Sequence, residues 1–503
     1  MSQTTTEGVG LRSERGQVLA SLMLSMSLVA LDSTIIATAV PSIVTDVGGF
    51  SSFPWLFSIY LLTQAVTVPL YGRFADLYGR RPVLFTGIGL FLLGSVLCGA
   101  AGSMLMLIAF RGVQGLGAGA VQPITMTIVG DLYTVRERAR VQGYLASVWG
   151  ISAVVGPTLG GVFSQYASWR WIFFVNLPLG ALATWMLARH FHERVVRRPH
   201  RIDLAGALLL VTGCTLLILG LLEGGVGWAW GSFTSLAMFT VSAVLIGGFV
   251  LVEARTREPV LPLWVFGRRV LVGGNLASAV IGAVLIGLSS YVPTFVQGVL
   301  GTGALVAGFA LAALSVGWPL ASSASGRIYI RIGFRDTALI GAAVLVLGTL
   351  GTTLLPQHTT VWQVAACCFV IGVGLGLAAS PTLVAVQSVV DWQRRGVVTG
   401  ANMFSRSVGS AVGIAVFGAI ANGTLADRLA HPPPGLAGRL PSGLDTTSLV
   451  LGGRSGGGSP ELTAFLRGAL YDAGHRVFVA LALVSVATVV ALLLMPRRTA
   501  ELG

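Results

Sequence analysis

The stretch GRFADLYGRR at 72–81 returns in weakened form as GRIYIRIGFR at 326–335. One recurrence of Gly and Arg would mean little. Pro41 and Pro293, Pro123 and Pro381, Gly143 and Gly400, and Gly156 and Gly413 fall at nearly the same spacing, so the chain reads as two similar halves. Each half holds six apolar spans, and two more, at 204–252, are inserted between them.

The composition says where these spans live. Of 503 residues, 54% are hydrophobic and only 10% charged, a balance that cannot cover a soluble surface. Apolar runs such as 83–101, 204–222 and 477–495 are long enough for a bilayer core about 30 Å thick. We count fourteen, near 17–41, 54–71, 82–101, 104–130, 139–164, 171–189, 204–222, 233–252, 272–297, 304–325, 336–355, 361–389, 397–421 and 477–495. A backbone in lipid must satisfy its own hydrogen bonds, and the alternation of barrel strands is absent, so the fold class is all-α integral membrane.

The net charge of +13 comes from arginine alone, a weak sign of GC-rich, bacterial coding. With the N-terminus inside, the cytoplasmic loops receive Arg73, Arg80, Arg81, Arg136, Arg138, Arg140, Arg194, Arg197, Arg198, Arg255, Arg257, Arg268, Arg269, Arg327, Arg331, Arg335, Arg394 and Arg395. The short outer loops hold only Arg170. This asymmetry predicts a multi-pass protein of the bacterial inner (plasma) membrane with both termini cytoplasmic, and makes the charge topological rather than nucleic-acid binding. Cys98, Cys214, Cys367 and Cys368 lie inside apolar runs, which argues against a disulfide or a metal site. The first run is too long for a signal-peptide core and stays as a helix.

The organisation expected is a tail at 1–16, a six-helix bundle at 17–190, two inserted helices with linkers at 191–270, a second six-helix bundle at 271–496 and a tail at 497–503. The second bundle includes an outer loop at 422–476, turn-rich at 431–435 and 452–458. Helical spacing at 460–473 predicts a short interfacial helix before the last span.

Repeated helical halves that rock about a midplane site are the architecture of secondary transporters. The motifs here resemble those of the major facilitator superfamily, in its fourteen-helix drug:proton antiporter branch. LDSTII at 31–36 with Pro41 is similar to the branch's first-helix motif, and 72–81 to the superfamily loop between helices two and three. RGVQG at 111–115 resembles the fourth-helix motif, GPTLGG at 156–161 the antiporter motif, and WRWIF at 169–173 with Asn176 and Pro178 the start of helix six. The resemblance covers nearly the whole chain.

A carboxylate deep in a helix is costly and tends to face a cavity and exchange protons, which singles out Asp32, roughly 13 Å below the outer surface. The alternative is a permanently ion-paired structural Asp. Arg111 lies at a similar depth of roughly 12 Å, so the two could meet. The resemblance implies that Arg111 assists proton movement; the alternative is simple neutralisation of Asp32. The second half has no charge at the matching positions, which predicts proton chemistry in the first half and mainly apolar substrate contacts in the second.

Asp76 can sit on the positive N-terminus of span thirteen, and Arg80 can pair with Asp131. With Gly72, Gly79 and Arg81 they form an expected conformational latch that must break for the protein to open inward. Gly156, Pro157, Gly160 and Gly161 allow close helix approach and a bend, and the resemblance assigns them to antiport. Arg406, roughly 15 Å deep, needs a partner, either substrate or a carbonyl. Gln64, Gln122, Trp149, Asn275, Tyr291, Phe295 and Asn402 are the other candidates to line a substrate cavity. Glu223 ends its span and should be solvated.

Together these features predict a secondary active multidrug efflux transporter, exchanging amphipathic or cationic compounds for protons by alternating access. No G-x-x-x-x-G-K-[ST] motif supports ATP, so the proton is the coupling ion and no cofactor is expected. The partners expected are a small-molecule substrate and membrane lipid, with no obligatory protein partner. Rival readings are an exporter of an endogenous lipid or secondary metabolite, and a membrane enzyme on lipid-linked substrates. The enzyme would need clustered acids or histidines near a bilayer face, where only Asp46, Glu461 and Asp472 are scattered.

Overall fold

The computed structural model describes residues 10–497, apart from 11, 12, 14, 49–51, 53, 54, 194–202, 226, 257 and 434–459. The expected loop residues Arg194, Arg197, Arg198 and Arg257, residues 434 and 435 of the 431–435 turn and all of 452–458 lie outside the described residues. Among the described residues every long element is an α-helix. They are α1 Gly16–Val47, α2 Trp55–Tyr78, α3 Arg80–Gly99, α4 Met104–Leu132, α5 Val135–Tyr166, α6 Trp171–His190, α7 Leu204–Glu223, α8 Phe233–Glu253, α9 Arg269–Gly298, α10 Ala304–Ile332, α11 Phe334–Thr353, α12 Val361–Ser388, α13 Arg395–Ala430 and α14 Pro460–Leu493. Thirteen are long and apolar enough to cross a membrane. The remaining one, α2, carries Gln64, Arg73 and Asp76, and its packing places it within the same bundle.

The repeat in the sequence is a repeat in the backbone. Gly79 ends α2 with φ 97° and Gly333 ends α10 with φ 91°, each the eighth residue of its motif. Both turns need a residue free of Cβ strain, which is why glycine recurs there. The two halves also pack alike. In the first, α3 and α2 lie on α4 while α5 and α6 lie on α1; in the second, α11 and α10 lie on α12 while α13 and α14 lie on α9. The halves meet where α5 crosses α10 and α2 crosses α13. The inserted pair α7–α8 attaches through α7, which packs on both α2 and α13.

Helix starts are fixed locally. Thr134 and Thr360 form capping boxes with Glu137 and Gln363, and Ser103, Asp203 and Ser232 accept from first-turn N–H groups. The Thr134 cap starts α5 before its basic cluster, so Arg136, Arg138 and Arg140 lie on the helix rather than on the expected loop. They and the other basic helix ends define an Arg-rich face of the molecule.

Two other expectations change. The short helix predicted at 460–473 is the beginning of α14, a single helix of 34 residues. No proline interrupts it, and its buried face runs on through Leu466, Ala469, Leu470, Ala473, Val477 and Leu481. At the other side of the outer loop α13 continues to Ala430, so the connection expected at 422–476 is helical at both ends.

The hydrogen bonds and ion pairs joining the two halves gather at the Arg-rich end. Above them a small apolar cluster of Val68, Leu383 and Met403, with Met126 and Phe404, spans the interface. Further from the Arg-rich face, the cluster of Ile35, Leu56, Leu107 and Phe173 stays within the first half, and that of Val292, Phe295, Leu470 and Phe478 within the second. The halves are therefore sealed at the Arg-rich end.

Candidate functional site

The interior of the first half holds a charged pair. Arg111 Nη1 on α4 donates to Asp32 Oδ2 on α1 at 2.5 Å, and both side chains are 1% exposed. Gln114 and Asn176 donate to Asp32 Oδ1 at 2.7 and 3.3 Å. Arg111 also reaches Leu56 O at 3.1 Å and Gln114 Oε1 at 2.7 Å, and lies 4.2 Å over the ring of Tyr60. Ser95 accepts from both Gln114 and Asn176. Two atoms of this cluster, Tyr60 Oη and Asn176 Oδ1, are buried without a hydrogen-bond partner. Asp32 was expected to face a cavity. It is instead enclosed by α3, α4 and α6, because two amide donors and a cation offset its desolvation.

The α1–α5 seam has no room for side chains on one face. A Cβ on Gly156 would lie 2.1 Å from Thr34 Oγ1, and one on Gly160 would lie 2.4 Å from Ile35 O. Thr34 and Thr38 donate across the seam to Ser152 O and Pro157 O at 2.9 and 3.3 Å. Gly161, expected in the same contact, has nothing within 4 Å of a Cβ: it points away, one residue around the helix.

At the Arg-rich end, Asp76 accepts from the N–H groups of Gly396 and Val397 at 2.9 and 2.8 Å. These are free first-turn donors of α13, where the helix dipole favours an anion. Arg80, fully buried, joins Asp76 at 3.0 Å and Asp131 at 2.9 Å, and donates to Trp392 O at 2.6 Å with its guanidinium 3.8 Å over the Trp392 ring. Arg395 returns to Asp131 at 3.2 Å. A Cβ on Gly72 would lie 2.5 Å from Gly396 O, so α2 and α13 touch backbone to backbone. Gln387 bridges Met126 O and Thr399 Oγ1, and Tyr329 donates to Val135 O. Arg81 was expected in this latch but points to Ala188 O, tying α3 to α6 within one half.

Sequence reasoning missed Glu193 and Trp392. Glu193 accepts from the first N–H groups of α3, at Arg80 and Arg81, at 3.0 and 2.9 Å. It also missed Glu253, which is 4% exposed at the end of α8 and accepts from Leu261 N. A carboxylate one turn from a loop is the only signal these acids give.

The cavity candidates divide. Asn402 is fully buried, bonded to Gly274 O, Asn275 and Ser278, and Phe295 packs on Tyr471 and Phe478. Both serve helix packing in the second half rather than a cavity, and Asn275, 6% exposed, goes with them. Gln64, Gln122, Trp149, Tyr291 and Arg406 remain partly exposed. At the end of α1 remote from the Arg-rich face, Asp46 accepts from Arg170 at 2.7 Å and Trp169 at 3.0 Å, and these bonds, the arginine's first, hold its carboxyl below the usual range.

The sequence of this two-halved helical chain matches a known family, the Major Facilitator Superfamily, over residues 22–414. The chain belongs to it. Among superfamily members, the multidrug transporter protein MdtP of Bacillus subtilis (strain 168) is 35% identical over 413 residues, 82% of this chain and 76% of the relative. Multidrug resistance protein 3 of the same organism is 33% identical over 427 residues, 85% and 83% of the two chains. The structure of the human organic anion transporter MFSD10 aligns with a TM-score of 0.61 over 94% of this chain and 99% of that one, at 15% identity, which establishes the shared fold alone. Superfamily membership makes this chain a membrane transporter of small molecules and removes the enzyme reading.

Proposed function

We propose that the protein exports amphipathic compounds from the cytoplasm in exchange for protons by alternating access, with the Arg-rich face cytoplasmic. The observation that carries this reading is the sealed Asp32–Arg111 pair, the charged centre of the first half's helical interior. Its relatives' names, multidrug transporters, favour the same class of cargo.

In the state closed at the Arg-rich end, Asp32 is the anion that Arg111, Gln114 and Asn176 surround. Protonation removes the attraction to Arg111 and turns one carboxyl oxygen into a donor. Asn176 Oδ1, buried without a partner, is an acceptor within the same amide group and can receive that proton's hydrogen bond after the amide turns. The change loosens α1 from α4. Because α1 is seated on α5 through Gly156 and Gly160, and α5 crosses α10, the protonation state of Asp32 biases how the halves meet. Breaking the Asp76 cap and the Arg80 contacts then opens the cytoplasmic side. The test is substrate-dependent proton movement in proteoliposomes, screened over cationic, neutral and acidic amphipathic compounds. Proton flux that never responds to any of them refutes the coupling.

A further inference from the structure

The apolar cluster that seals the interface defines a floor, and three polar residues stand one helical turn above it. Gln64 precedes Val68 on α2 by four residues, Gln122 precedes Met126 on α4 by four, and Arg406 follows Met403 on α13 by three, all on the side away from the Arg-rich face. Each is partly exposed. Among the described residues none of the three side chains has a hydrogen bond or ion pair, and Arg406 Nε is buried without a partner. At eleven residues from the start of α13, Arg406 is roughly 16 Å from its end, near the middle of a bilayer core.

A cation at that depth is expected to pair. The acids that could pair with it are committed elsewhere: Asp32 to Arg111, Asp76 to the start of α13, Asp131 to Arg80 and Arg395. The stem of Arg406 is nevertheless held in place. Its Cγ lies 3.0 Å from where a Cβ on Gly282 would sit, and Ser410, one turn on, donates to Gly282 O at 3.0 Å. The stem is seated at a glycine, and among the described residues the guanidinium is left without an anion.

We propose that Arg406 receives an acidic group of the transported molecule, so that the cargo is an amphipathic acid whose apolar body rests on the floor at Val68, Met126 and Met403. This rests on the transport reading above and narrows it, away from the cations that the sequence suggested. A guanidinium offers a carboxylate or sulfonate two parallel N–H bonds, and the side-chain amides of Gln64 and Gln122 can bond neutral polar atoms of the same molecule.

The probe pair is a fluorescent aromatic carboxylic acid and its carboxamide, nearly equal in shape, titrated at pH 7 onto the purified full chain and then measured for uptake in proteoliposomes. The acid should bind the wild-type protein at least about tenfold more tightly than the amide. Arg406→Gln should bring that ratio close to one without weakening the amide, and Arg406→Lys should keep part of it, since charge remains while the fork is lost. The wild-type ratio needs no variant to fold. Equal binding of acid and amide by the wild type, or an acid preference that survives Arg406→Gln, overturns the proposal. Proton movement driven by cationic compounds with no acid preference would sink this inference and leave the exchange reading standing. Acid binding through Arg406 with no proton movement would do the reverse.

Discussion

Arg111 and Asp32 form a 2.5 Å ion pair in which both side chains are almost wholly removed from solvent, and each has further polar partners. Breaking one side of such a pair leaves an uncompensated buried charge, at a cost of about 3–5 kcal/mol. Asp32→Asn should therefore lower thermal stability and abolish proton-driven efflux. The double variant Asp32→Asn/Arg111→Gln should recover much of the stability and none of the coupling, because it removes the orphaned cation but restores no titrating group. Melting curves and proteoliposome flux measured on the same preparations separate these effects. Proton-driven efflux at the wild-type rate in Asp32→Asn would remove the residue from the mechanism.

The cap that Asp76 places on α13 involves two N–H groups and a helix dipole. Asp76→Asn keeps the shape and loses the charge, a change of about 0.3–1 kcal/mol, rising to about 2 kcal/mol where the contact is buried. The population opened at the Arg-rich side should rise severalfold. Cysteines introduced at the two faces report it through the ratio of their labelling rates; an unchanged ratio means the cap does not hold the closed state.

Gly160 and Gly161 are adjacent and have opposite surroundings. Gly160→Ala drives a methyl group into Ile35 O and Thr38, and should cost about 1–3 kcal/mol of stability with loss of transport. Gly161→Ala meets open space and should behave like the wild type. Equal damage from both substitutions would mean that the helix needs flexibility there rather than contact with α1.

Asp46 supplies a pH dependence of known sign. Its carboxyl is held below the usual range of about 3.9, so its bonds to Arg170 and Trp169 contribute stability fully above that range. That contribution is lost as the pH falls through the depressed folded-state value. The melting temperature difference between wild type and Asp46→Asn should be flat from pH 5 to 8 and shrink only in stronger acid. A difference that changes near neutrality would point to another group.

Much of this arrangement was legible in the sequence. Two of the positive-φ glycines, Gly79 and Gly333, hold the same place in a motif that repeats, and the depth of Asp32 and Arg111 follows from counting residues along helices of fixed rise. Asp76 above Gly396 was readable because an acid and a helix start are both local signals. What the sequence could not give was facing. Asn402 and Arg406 are four residues apart on the α9 side of one helix, yet Asn402 meets polar partners at Gly274, Asn275 and Ser278 while Arg406 meets only Gly282, a difference set by which α9 residues lie opposite. Trp392 and Glu193 reach Arg80 from remote positions in the chain, with no periodic pattern to mark them. Polar residues at 460–473 read as a boundary before the last span, whereas the buried stripe of α14 continues through them.

The helix α7 touches α2 and α13, the two helices that meet along one side of the interface between the halves. The opposite side, where α5 crosses α10, has no such companion among the described residues. To a molecule dissolved in the lipid the two flanks of the cleft are therefore inequivalent. One is walled by an added helix that rests on both halves at once; the other is bounded by the crossing pair α5 and α10 alone.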